Sequence, residues 1–250
     1  MFAWFTDTKE TIPDGLGITG FGPEHLCWLA ALLVAGALVL WAIRREPARC
    51  GKIGRVLAVL LVLDELFKQG MLLAFGNWEA QYLPLHMCSI NIFVAVANEV
   101  RSTRLTRALL YATCIPAAVM ALLFPTWVRL PVLNFMSIHS FTVHGLLLLY
   151  PLALWVGGQL KPQPRDLWRV AAFYVVILPF IYVFNKRFDT NFMFLNFAAP
   201  GTPLVLFENW LGNPGYLLGI PVLLGLIWAV MYVPLVLYRR RVSPKAPSQG

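Results

Sequence analysis

The sequence predicts an all-α fold: a polytopic membrane bundle of seven transmembrane helices, with the N-terminus outside and the C-terminus cytoplasmic. Three observations predict it. Of 250 residues, 59% are hydrophobic and only 13% charged, against roughly 45–50% and 25% in a water-soluble domain. Seven apolar runs recur along the chain at close to the length of about 20 residues that crosses a bilayer. The basic residues also sort by side when those seven runs are taken as crossings.

Residues 1–24 lack both a basic start and a continuous apolar core, so they read as an outer N-terminal segment and not as a cleaved signal peptide. Span one covers 25–43 and ends at the basic loop of Arg44, Arg45, Arg49, Lys52 and Arg55. Span two, 56–75, is apolar except for Asp64, Glu65 and Lys68. Span three, 83–99, opens LPLHMCSIN, and span four, 108–124, follows the inner residues Arg101, Arg104 and Arg107. Span five, 132–156, holds Asn134, Ser137, His139, Ser140, Thr142 and His144, and leads to the inner Lys161, Arg165 and Arg169. Span six is 170–184 and span seven 215–238, followed by a basic tail, 239–250. No fixed-period repeat divides the chain, so 25–238 reads as one transmembrane domain.

With the N-terminus outside, fifteen of the 20 lysines and arginines fall in inner loops and seven of the 12 acids on the outer side. The net charge of +8 is therefore topological, which excludes nucleic acid as a partner. The one long connection, 185–214, is outside, rich in Phe and Leu, and broken by Pro200, Gly201 and Pro203. It reads either as a lid folded back over the bundle or as a hairpin that packs against it.

Ionisable groups inside a membrane are costly and call for partners. On span two, Lys68 stands three residues from Glu65 and four from Asp64, so one acid can pair with it along the helix. The other acid must be satisfied by another helix or kept neutral. Three of the four histidines, His86, His139 and His144, sit in spans three and five beside Cys88. Counting about 1.5 Å per residue from the inner ends, Cys88, His86, His144 and the acid pair lie at roughly 14–20 Å, near the midplane, and His139 at roughly 27 Å.

A thiol beside an imidazole can take an acyl group and pass it on. Cys88 is the candidate nucleophile, His144 its base, and His86 or a span-two acid the orienter. Asp64, Glu65, His139, Ser140 and Asn91 are the candidate substrate contacts, for a phospholipid or other amphiphile. The expected chemistry needs no cofactor or metal. The alternatives are a zinc-dependent lipid hydrolase using His86, His139 or His144 with Asp64 or Glu65, and a small-solute transporter or receptor. Cys50 and Cys114 have no histidine near them in sequence, and they and Cys27 read as free thiols.

Three strings, LPLHMCSINIF, the His-Gly of VHGLLLLYPL, and TNFMFLNFAAP followed by LGNPGYLL, make residues 60–238 resemble the YwaF-type integral membrane proteins of bacteria. Those are similar to a eukaryotic multispan acyltransferase that remodels ether phospholipids. The resemblance implies a seven-span domain in a bacterial inner membrane, with Cys88 of the PLHxC motif as acyl acceptor and His144, before Gly145, as its partner. It also covers His86, Asn185, Asn191 and Tyr216. Asn191 joins the candidate substrate contacts.

Overall fold

The computed structural model describes residues 4–8, 11–125 and 127–242. Lys9, Glu10 and Lys245, used above in sorting charge, lie outside them, as does the tail beyond residue 242. Eight α-helices and no strands are found among the described residues: α1 Pro23–Arg45, α2 Cys50–Ala74, α3 Met87–Val100, α4 Arg104–Leu123, α5 Phe135–Val156, α6 Leu167–Phe188, α7 Leu204–Leu211 and α8 Gly219–Val242. The described helical segments that are long and apolar enough to cross a membrane are Pro23–Arg45, Arg104–Leu123, Phe135–Val156, Pro164–Phe188 and Gly215–Arg239. α2 runs for 25 residues, but Asp64, Glu65 and Lys68 interrupt its apolar stretch. α3 has 14 residues, about 21 Å of helix.

Helix ends differ from the hydropathy limits for local reasons. Span three starts late, at Met87, because Leu83 precedes Pro84 and takes an extended conformation (φ −57°, ψ 147°). Span four starts early, at Arg104, because Thr103 caps it through a reciprocal bond with Thr106. Asn134, counted above within span five, caps α5 instead, accepting from the Met136 N–H at 2.9 Å. α6 continues through Lys186 and Arg187, cations that suit a helix C-terminus, and stops at Asp189 in a left-handed conformation (φ 49°).

The interior is built around α5, which packs against α1, α2, α3 and α4. Its Tyr150 is fully buried and ties down the inner half, donating to Glu99 Oε1 at 2.8 Å and accepting from Asn98 at 3.1 Å. Gly145 lets α1 approach: a Cβ there would stand 2.6 Å from Leu32 Cδ2. Gly145→Val is accordingly expected to lower stability in detergent by about 1–3 kcal/mol through overpacking. Gly70→Ala, which meets nothing within 4 Å, should leave the unfolding midpoint unchanged or raised.

Two prolines shape the core. Pro116 removes an N–H from α4, and the preceding turn, Leu110–Cys114, widens to π geometry with all five residues buried. The carbonyl of Ala112, four residues before that proline, accepts from Trp228 Nε1 of α8 at 3.0 Å. In α5, Pro151 likewise leaves the Leu147 carbonyl without its helical donor, and the Cys114 thiol donates to it at 3.2 Å. Cys114 is thus a structural thiol. Cys50 is another, donating to the Ala153 carbonyl at 3.5 Å, and Cys27 is exposed.

Residues 185–214 do two things. The first part enters the bundle: Phe192, Met193 and Leu195 belong to the main core, and Asn185, fully buried, binds the turn by accepting from the Phe192 N–H and donating to its carbonyl, each at 2.9 Å. The second part forms α7, whose Leu206 and Trp210 are 70% and 80% exposed.

Candidate functional site

Cys88 is the second residue of α3, with His86 as its N-cap. The first backbone N–H groups of a helix have no acceptor within it. Those of Met87, Cys88 and Ser89 find none elsewhere among the described residues, and the His86 side chain does not cap them. The thiol is half-buried and makes no hydrogen bond there either. Positive dipole and free donors therefore converge around a thiol that makes no hydrogen bond among the described residues.

His144 stands on α5. Cys114, which bonds the Leu147 carbonyl one turn below His144, is within electrostatic reach of Cys88. His144 Nδ1 is 2.6 Å from the Ser140 carbonyl. A carbonyl only accepts, so the proton is on Nδ1 and Nε2 keeps its lone pair. The ring also lies parallel to Trp127, 5.2 Å between centroids and 2° between planes. It is held by its own helix and an aromatic face, and not by His86 or a span-two acid as the residue types led one to expect. His144 and Cys88 share no hydrogen bond, and His139, Asp64 and His86 are within electrostatic reach of His144.

His86 is exposed at the mouth. Its Nδ1 accepts from the Met193 N–H at 3.3 Å, and its ring meets Phe192 and Phe194 at 5.1 and 6.0 Å. Met193 and Phe194 both hold left-handed backbone (φ 54° and 57°), which bulky residues adopt at a cost of about 1–3 kcal/mol each. The turn over His86 is thus stored strain, held by the core contacts of Phe192 and Met193.

The acids form a third group. Glu65 pairs with Lys68 along α2, 2.7 Å apart and both buried, and also accepts from Gln69 at 2.8 Å. Asp64 turns to α5, where Thr142 donates to Oδ1 at 3.0 Å and His139 Nδ1 lies 3.1 Å from Oδ2. The surplus carboxylate has found a partner on another helix in Thr142, one of the two outcomes that span two left open. His139 Nε2 faces Glu65 Oε2 at 4.0 Å. Of the histidines named for a zinc site, only His139 meets these acids, and among the described residues no three His, Cys, Asp or Glu are placed to hold a metal ion.

The remaining candidates are committed to structure. Asn91 is buried, donating to the Met87 carbonyl at 2.9 Å and accepting from Thr113 at 3.3 Å, so it braces the turn that carries Cys88. Ser140 contributes its carbonyl to His144. Asn191 closes its own loop, accepting from the Asn196 and Phe197 N–H groups and donating to the Phe197 carbonyl. The fourth histidine, His25, is fully buried, with Nε2 2.7 Å from the Leu122 carbonyl and Nδ1 accepting from Phe21 N–H at 2.8 Å. Two surface hollows flank α1, and neither is lined by a candidate site residue.

A family model, TMEM164 family, matches residues 20–232. The chain belongs to the TMEM164 family. This is a different family from the YwaF-type proteins, so the YwaF assignment is corrected. That assignment used short strings, the first of which begins at Leu83, whereas the match takes in all of α1. Comparison with curated proteins and with solved structures finds no match. The TMEM164-family chain is a membrane protein with several apolar helices.

Proposed function

We propose that this TMEM164-family protein transfers an acyl chain between membrane lipids through a thioester on Cys88. The observation that carries the reading is Cys88 itself: an unengaged thiol in the first turn of α3, beside three free backbone N–H groups, with His144, held at Nδ1 by the Ser140 carbonyl, as its proposed partner on α5. Seven crossings go with it, α2 and α3 completing the five apolar spans, with the N-terminus outside and the C-terminus cytoplasmic. Residues 25–238 form the transmembrane domain, 1–24 the outer segment and 239–250 the inner tail of a protein of the cell membrane.

In the first step Cys88 gives its proton to His144 Nε2, and the sulfur attacks the carbonyl carbon of the donor ester. The N–H groups of Cys88 and Ser89 hold the developing oxyanion. The C–O bond breaks, and His144 returns the proton to the departing alkoxide, releasing a lysolipid. An acceptor hydroxyl then attacks the thioester, the C–S bond breaks, and Cys88 regains a proton. Cys88 and His144 come into hydrogen-bond contact only with substrate bound, as catalytic pairs commonly do. The donor ester reaches them beneath Phe192 and Phe194, and the exposed Trp210 of α7 anchors the outer loop at the lipid interface.

The test is purified protein in vesicles holding a donor phospholipid labelled in one acyl chain and an unlabelled lysophospholipid. Labelled diacyl product is expected, and His144→Ala should lower its rate about 10²–10⁴-fold. Free labelled fatty acid as the sole product, or an unchanged rate in His144→Ala, would overturn the reading.

A further inference from the structure

We propose that His139, with Asp64 behind it, is the base that activates the acyl-accepting alcohol, separate from the His144 that serves the thiol. This rests on the acyl-transfer reading and adds a second acid–base group to it. His139 is only 6% exposed. Its Nδ1 lies 3.1 Å from Asp64 Oδ2, yet both atoms are sealed from solvent and neither makes a hydrogen bond among the described residues. Asp64 is itself fixed from its other oxygen by Thr142.

On the far side of the ring, Nε2 and Glu65 Oε2 face each other at 4.0 Å. Glu65 Oε2 is sealed from solvent without a hydrogen bond, although its other oxygen is held by Lys68 and Gln69. Two carboxylate oxygens left without a hydrogen bond beside one imidazole, Asp64 Oδ2 and Glu65 Oε2, in a largely buried cluster, call for an O–H group.

Depth separates this spot from His144. His139 is five residues nearer the outer end of α5, about 7.5 Å along the axis, on the side where a lysolipid carries its free hydroxyl near the headgroup. In the transfer step, the acceptor O–H gives its proton to His139 Nε2 as its oxygen attacks the Cys88 thioester. The C–S bond breaks, and the proton passes from the imidazolium to the leaving thiolate. His139 is thus a catalytic residue for the second half-reaction, and Asp64, 3.1 Å from its ring, a positioning residue. Lys68, Glu65, Asp64 and His144 are the charged or titratable groups around it.

The experiment separates the two halves, loading the full chain with a labelled acyl donor and following the acyl-protein by intact mass. In His139→Gln and Asp64→Asn the acyl adduct is expected to form as in the wild type and to accumulate. Its lifetime in the presence of lysophospholipid should lengthen at least about 10²-fold for His139→Gln. Hydroxylamine, a free nucleophile that needs no base, should discharge the adduct at the wild-type rate in both variants. Normal discharge by lysophospholipid in either variant would overturn this inference while leaving the thioester in place. Absence of an adduct in the wild type would instead remove the acyl-transfer reading beneath it.

Discussion

Cys88→Ser is expected to lose acyl transfer by on the order of 10⁴-fold or more, the range seen when a covalent nucleophile is removed, with folding unaffected. The thiol makes no hydrogen bond among the described residues, so the exchange of sulfur for oxygen breaks no contact that holds α3. The loss is chemical. A hydroxyl at this position is a far weaker nucleophile than a thiol near a helix N-terminus, and the surrounding donors were placed for a thiolate and its tetrahedral adduct. Cys114→Ser offers the contrast, because its hydroxyl can still donate to the Leu147 carbonyl, and activity should stay within a few-fold of wild type. The check is the vesicle exchange assay together with the unfolding midpoint of each variant. Loss of activity in both variants alike would show a packing effect and not a nucleophile.

Lys68→Met is expected to be the most destabilising single change in the bundle, by about 3–5 kcal/mol, since it leaves a buried carboxylate without its countercharge. Glu65 and Lys68 are 8% and 6% exposed and 2.7 Å apart, and Gln69 alone cannot compensate the charge. The companion change Glu65→Leu in the same chain removes the orphaned carboxylate, and the double variant should recover most of the loss, as replacing a buried pair by apolar residues often does. Denaturant unfolding in mild detergent reads both. A double variant no more stable than Lys68→Met would mean that the Glu65 carboxylate has a second cation partner.

Much of the fold was legible because lipid imposes a simple rule on sequence, and each of the seven apolar runs corresponds to a helix. What shifted were the ends, where Pro84 delays α3 and Thr103 advances α4. The charges of span two were legible as a problem with one solution along the helix, Glu65 with Lys68, and one across to another helix. Which neighbour took Asp64 was not, because Thr142 and His139 meet it only through the packing of α5 on α2.

The site was legible as a list of residue types more than as an arrangement. Counting residues from the inner ends put Asp64 at roughly 14 Å and His139 at roughly 27 Å, yet the two lie 3.1 Å apart, since α2 begins at Cys50, before the end used for the count. The orienter of His144 is the Ser140 carbonyl, four residues back along its own helix. That bond follows from spacing alone and could have been read. The π turn at Leu110–Cys114 also had a signal, Pro116 in mid-span. The grip of Met193 on His86 had none, since it joins residues 107 positions apart through a backbone conformation that sequence does not announce.

The central claim is that Cys88 carries the acyl chain. Intact-mass measurement of the purified chain, after brief incubation with excess phospholipid and no acceptor, tests it most directly. The account predicts one added acyl group per chain, located on Cys88 by fragmentation, released by hydroxylamine at neutral pH and missing from Cys88→Ser. Product formation by a wild-type chain that never gains this mass, or an adduct that persists in Cys88→Ser, would contradict it.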